Sequence, residues 1–344
     1  MRADKQRTPA DRIFDNLQGQ LKRRNTMRLA GFMTILGAAA FMASTASAQT
    51  VGIGTTKTGA TSQVTAAIAK VASKFGNMQM RTAPMAGTQK YIPAVNAGKL
   101  EFGAANIMQT TWSVEGKVLS EGRPNPNVMM VATLMPFRTG IITAKDPSIK
   151  SITDLKGKRG PVGYKAAPLF VELMKAALAT SNMTIEDYKP VPVAALVPSW
   201  KALMEKKIDF AYGAAGSGFM NRISQALGGM QFVSLDNSAD AVARLNKYAP
   251  GAEIKTLQPR KGLTGINGPT NLVFFDYTLF AGKTVSGDVV YRVTKAMYEN
   301  KAALVETSPL WRGFTAKNMS KKQGNLKYHP GAIKLYKEKG TWNQ

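Results

Sequence analysis

The chain has 344 residues, a formal net charge of +25, no cysteine and one histidine. Disulfides and a lipid on an N-terminal cysteine are excluded, and His329 has no Cys or carboxylate cluster beside it, so no metal site is expected. So large a positive surplus steers anions inward, but the basic residues are scattered without aromatic interleaving, which points to a solvated basic surface with an anionic ligand and no nucleic acid.

Residues 1–26 are polar and charged without apolar periodicity, and Met27 is a second candidate start. Lys22, Arg23, Arg24 and Arg28 flank a short apolar core, Leu29 to Ala43, and Ala46-Ser47-Ala48 is a small-residue cleavage site. Together these predict an exported protein cut after Ala48. A membrane anchor competes poorly, because the stretch only just reaches the ~20 residues of a span and ends in Ser, Thr and Ala. A cysteine-free exported chain of this size fits the bacterial periplasm, and export argues against nucleotide-dependent chemistry.

Val51 to Thr55 reads as a strand that runs into a Gly/Thr loop, followed by a helix with Val64, Ile68, Val71 and Phe75 at helical spacing and Thr61 or Ser62 as its cap. Met78 to Ala83 is a second strand. After the loop Met85-Ala86-Gly87-Thr88 comes a helix to about Ala97, which requires Pro93 near its first turn. Phe102 to Ala105 is a third strand, ending at Asn106. Val128 to Ala144 is a long extended run, with a break expected at Pro136. The alternation then resumes: strands near 160–164, 189–193, 208–212 and 231–235, helices carrying Phe170 to Leu178, near 198–206, and carrying Met220 to Leu227. Thr270 to Ala281 is a second extended run, and helices follow near 287–301 and 332–339. Strand–helix alternation of this kind argues for parallel sheets with helices on their faces. Two such lobes joined by two extended crossings describe a clamp, with residues 49–137 plus 277–344 as the first lobe and 138–276 as the second.

Gly54 to Gly59 fails both the Walker pattern and G-x-G-x-x-G. A glycine and hydroxyl loop before a helix still offers free N–H groups and a positive dipole end to an anion. Thr55, Thr56 and Ser62 are therefore candidate ligand contacts, as are Gly87, Thr88 and Gln89 at the second helix and Asn106 beyond the third strand. Gly163, Tyr164 and Ser217 occupy the equivalent places in the second lobe. Arg138, on the first crossing, could hold a carboxylate in a fork. No catalytic set is visible, so no enzyme activity and no cofactor are expected.

Gly54–Lys70, Pro84–Asn106, Ile149–Gly163, Thr278–Asn300 and His329–Lys339 together resemble the TAXI-type solute receptors of TRAP transporters. The resemblance covers essentially all of residues 50–344 and departs from many members at Thr56 and Lys57, where they carry further glycines. It implies the two-lobed α/β fold of periplasmic binding proteins of the second structural type, with the ligand between the lobes. It further implies a monomer that delivers a small carboxylate, of the glutamate or 2-oxoglutarate class, to a membrane permease driven by an ion gradient. A binding module of the same fold that feeds a membrane sensor kinase is the alternative, and the genes beside this one distinguish the two.

Overall fold

The computed structural model describes residues 50–344 apart from Thr58; the predicted export signal and the segment before it lie outside the described residues. The chain opens with β1 (Thr50–Thr56), α1 (Ala60–Phe75), β2 (Gln79–Met85), α2 (Thr88–Asn96), β3 (Phe102–Asn106) and α3 (Ile107–Glu115). β1 pairs in parallel with both β2 and β3. The helical spacing of Val64, Ile68 and Val71 puts all three in the core, whereas Phe75, at the end of the same stripe, stays 43% exposed. Pro93 stands in the second turn of α2, so that helix runs through it at the loss of one backbone bond.

The crossing strand β4 (Val128–Ala144) is unbroken at Pro136. It pairs antiparallel with β10 (Thr270–Gly282), and the register slips between Asp276 and Thr278, beside the Asp276–Pro136 pair. A bulge there absorbs the missing proline N–H. Between these two strands come β5 (Arg159–Gly163), α4 (Leu169–Ala179), β6 (Lys189–Val193), α5 (Leu196–Met204), β7 (Phe210–Ala214), α6 (Gly218–Leu227), β8 (Met230–Phe232), α7 (Ala239–Tyr248) and β9 (Glu253–Leu257). One end of the β4–β10 pair continues the sheet of β1, β2 and β3 through β10 and β3. The other end carries β7 and β8 on β4 and β9 on β10. β5 and β6 form a separate parallel pair.

After β10 the chain forms α8 (Gly287–Glu299), α9 (Lys301–Thr307) and α10 (Pro330–Glu338). His329 is buried at the start of α10, where its Nδ1 accepts the Gly331 N–H at 3.2 Å. Burial holds the imidazole pKa below its ordinary value. The folded protein therefore keeps His329 neutral at a pH where the unfolded chain is already protonated. Stability is full above about pH 6.5, the ordinary histidine pKa, and declines as pH falls from there through the lowered folded pKa. Urea midpoints of wild type and His329→Asn, which retains a capping acceptor, are expected to diverge over this window; parallel pH profiles would contradict it.

Candidate functional site

The carboxyl ends of β1, β2 and β3 lie along one edge of the sheet, and each feeds a helix. α1 starts at Gly59 and α2 at Gly87, and neither start receives a side-chain cap. The same holds for α4 and α5, which follow β5 and β6. By contrast Ser238, Ser286 and His329 cap α7, α8 and α10 with their side chains. First-turn N–H groups without a local acceptor, at the positive end of a helix dipole, suit an anion.

Thr61 and Ser62, expected as caps, sit inside the first turn of α1. Ser62 Oγ donates to the Gly59 carbonyl at 2.8 Å and is partly exposed, as is Thr56 at the end of β1. Thr55 is buried, its hydroxyl accepting from Thr65 Oγ1 at 2.7 Å. Asn106 caps α3: Oδ1 accepts the Gln109 N–H at 2.9 Å and Nδ2 donates to Gln109 Oε1 at 2.7 Å. Gln109 Nε2 in turn donates to Thr88 Oγ1 at 2.8 Å, and Thr88 donates weakly to Gln89 Oε1. Asn106, Thr88 and Gln89 thus form one connected rim, with Gly87 at the head of α2, and much of the amide capacity of Asn106 is used within it. The spacing Asn106-x-x-Gln109 is a capping signature that identifies α3, a helix the chain-order reading leaves unassigned.

In the other half, Ser217 caps α6 by accepting the Phe219 N–H at 3.3 Å. Gly163 is exposed with φ +95°, a torsion that favours glycine. Tyr164 is buried: its ring is 1% exposed and lies 5.9 Å from that of Phe170. Burial pushes its phenol up to about 12.

The β4–β10 pair joins these loops. Tyr277 lies opposite Asn106 in the β10–β3 register, and its hydroxyl is 2.8 Å from Thr61 Oγ1 at the start of α1. The Phe137 ring lies 4.6 Å from that of Tyr277. Next along β4, the Arg138 carbonyl accepts the Ala215 N–H at 2.8 Å, which ties it to the Ala214–Ser217 loop. Thr139 Oγ1 meets the Tyr212 hydroxyl at 2.9 Å. Over Phe137 to Thr139, β4 therefore reaches the start of α1 through Tyr277 and bonds directly to the loop before α6. The Arg138 guanidinium is half-buried and comes near Gly313. Its pKa is lowered by burial and then by the charge of Arg260, and no acidic side chain of the described residues pairs with it. Phe137 and Tyr277 escape a reading by motif because they meet only through strands far apart in the sequence.

Ser62→Asp places a carboxylate beside the exposed first turn of α1. It is expected to weaken binding of an anion by more than about tenfold, ~1.4 kcal/mol, in isothermal titration. Acidic residues suit a helix start, so the variant folds. Unchanged affinity would take α1 out of the site. Thr88 is a poorer probe, since an Asp at this buried position would be an unpaired charge.

Among the described residues no helix is long and apolar enough to cross a membrane, and no group of acidic residues and histidine is placed to hold a metal ion. Solved structures share the fold at low identity. PhnD1 from Prochlorococcus marinus, in complex with methylphosphonate, superposes with a TM-score of 0.54 at 9% identity, covering 85% of this chain and 99% of that one. A TctC solute binding protein from Polaromonas, without ligand, gives 0.51 at 13%, covering 78% and 90%. A structure described as a periplasmic transporter gives 0.51 at 14%, covering 86% and 94%. The fold is thus the α/β fold of type II periplasmic binding proteins. A family model matches residues 53–340, nearly the whole of the described chain, and the protein belongs to the NMT1-like family.

Proposed function

We propose that this chain is the periplasmic solute-binding subunit of a TRAP transporter of the TAXI type. It captures a small organic anion, a carboxylate or an amino acid, for uptake by membrane permease subunits. The observation that carries this reading is Arg138: a half-buried guanidinium without an acidic partner among the described residues, on a strand bonded to the loops of both halves. Charges are taken out of water when something is there to pair with them. The starts of α1 and α2, which lack side-chain caps, add donors for the same anion. The two lobes, 49–137 plus 277–344 and 138–276, close on the ligand about the crossing strands. The export signal is removed after Ala48.

A thermal-shift screen of small carboxylates tests this. A ligand at a hundred times its dissociation constant stabilises by ~2.7 kcal/mol, and glutamate, 2-oxoglutarate or a relative should raise the melting temperature. No response to any small anion would refute the proposal. Solution scattering with the best of these ligands should show compaction; an unchanged profile would leave binding intact and remove the clamp.

A further inference from the structure

The face of the crossing strands that meets the start of α1 is aromatic. On β10, Phe275 and Tyr277 are two residues apart and so share a face, and the Tyr277 hydroxyl is 2.8 Å from Thr61 Oγ1 in the first turn of α1. Phe137 on β4 lies opposite Phe275 in the register. Their rings are parallel to within 8° at 6.0 Å, and the Phe137 ring is 4.6 Å from that of Tyr277. Thr139, two residues on from Phe137, lies on the same face of β4, and its hydroxyl is 2.9 Å from that of Tyr212 on β7. The Tyr212 ring is 6.1 Å from that of Phe170, the second residue of α4. A run of rings thus leads from the start of α1 to the start of α4, and neither start has a side-chain cap. Phe275, Tyr277 and Tyr212 are buried, whereas Phe137 and Phe170 keep part of their surface open. Arg138 leaves β4 on the other face. Its Nη2 stands 3.8 Å from where a β-carbon on Gly313 would be, beside a turn that Ser308 ties to Gln63 of α1 at 3.3 Å.

We propose that Phe137 and Phe170 form the floor of the anion site, and that the site therefore selects an anion with a flat aromatic body over an acid of the same head group with a polar body. This rests on the anion-binding reading above and deepens it. The hydroxyls along the floor are already engaged, Tyr277 by Thr61 and Tyr212 by Thr139, so the floor has no donor left over for a polar body. A second carboxylate laid across it would lose water without gaining a partner. A ring gains instead, through apolar contact and through the offset or edge-on geometry that aromatic pairs favour. Phe137 is also held in place from behind by the Phe275 and Tyr277 rings, so little side-chain freedom is lost when a ligand settles on it. The same body can carry a carboxylate or a phosphonate head, and the head is what the helix starts receive.

The test uses three head groups, each with and without a ring: phenylpyruvate with 2-oxoglutarate, phenylalanine with glutamate, and phenylphosphonate with methylphosphonate. Isothermal titration is run on wild type, Phe137→Leu, Phe170→Leu and Phe75→Leu, the last removing an exposed ring at the far end of α1. Leucine keeps the apolar character and removes the ring, and the wild-type ratio alone can overturn the proposal if a variant is lost. Wild type should bind the ring-bearing member of the accepted pair about tenfold or more tighter than its partner, and the pair that binds tells the carboxylate head from the phosphonate head. Phe137→Leu and Phe170→Leu should each lower that ratio about fivefold while the ring-free member keeps its affinity, and Phe75→Leu should leave it as in wild type. A wild-type ratio of about one or below overturns the aromatic assignment, and a ratio that either floor variant leaves unchanged takes that ring out of the site; in both cases the anion reading stands. If none of the probes binds to wild type, the aromatic assignment fails together with the anion reading.

Discussion

Arg138→Ala is expected to weaken binding of the anionic ligand by on the order of 2–5 kcal/mol, the usual cost of leaving a buried charge without its partner. Arg138→Lys should fall between this variant and wild type, since an ammonium keeps the charge but loses the planar fork. The structure sharpens this expectation in two ways. The guanidinium is half-buried, so its interaction with a ligand is screened less than that of a surface arginine. Its main chain is fixed on both sides, by pairing with Phe274 and by the Ala215 N–H, so truncating the side chain leaves the strand in place. Loss of affinity would then report the side chain and not a collapsed crossing. If Arg138 served only the general positive field, both variants would bind almost normally, and added salt would slow association equally in all three proteins. Titration at two ionic strengths separates the outcomes.

The alternation of short apolar strands with amphipathic helices made the fold readable, because each unit is local. Both long strands, Val128–Ala144 and Thr270–Gly282, stand out as extended runs, and their near-continuous burial explains why. What the sequence hid was pairing. Nothing local says that Asp276 lies opposite Pro136, or that the bulge beside it lets β4 run on where a proline would otherwise break it. The helices α3 and α7 are unassigned in the chain-order reading although each carries a local capping residue: Asn106 Oδ1 and Ser238 Oγ accept N–H groups three residues on. In the site, glycine loops were legible by composition. Their helices take Gly59 and Gly87 as caps, so the hydroxyls next to them are not consumed in the way the sequence suggested.

Gly331→Ala is expected to destabilise the protein by about 3 kcal/mol, the upper end of the ordinary cost of overpacking. Gly331 is the second residue of α10 and faces Gly287, the first residue of α8. A β-carbon there would stand 3.0 Å from both Cα and the carbonyl carbon of Gly287, and inside van der Waals contact of its carbonyl oxygen. All three atoms are main chain, so no side chain can swing away; the two helix starts would have to separate. That separation pulls on a docked terminus, since Leu335 and Tyr336 are fully buried and the Tyr336 hydroxyl donates to the Val131 carbonyl at 2.6 Å. Helix propensity acts in the opposite direction and by itself favours alanine by up to ~1 kcal/mol, so the sign of the measured change is decisive. Gly218→Ala is the control: it is also at a helix start, nothing lies within 4 Å of its added β-carbon, and it should be neutral or slightly stabilising. A drop in melting temperature of roughly 5 °C or more for Gly331→Ala, with none for Gly218→Ala, would establish that α10 packs on α8 through bare backbone. Equal melting temperatures would mean that the helices have room to part, and that glycine at 331 is not required by close approach.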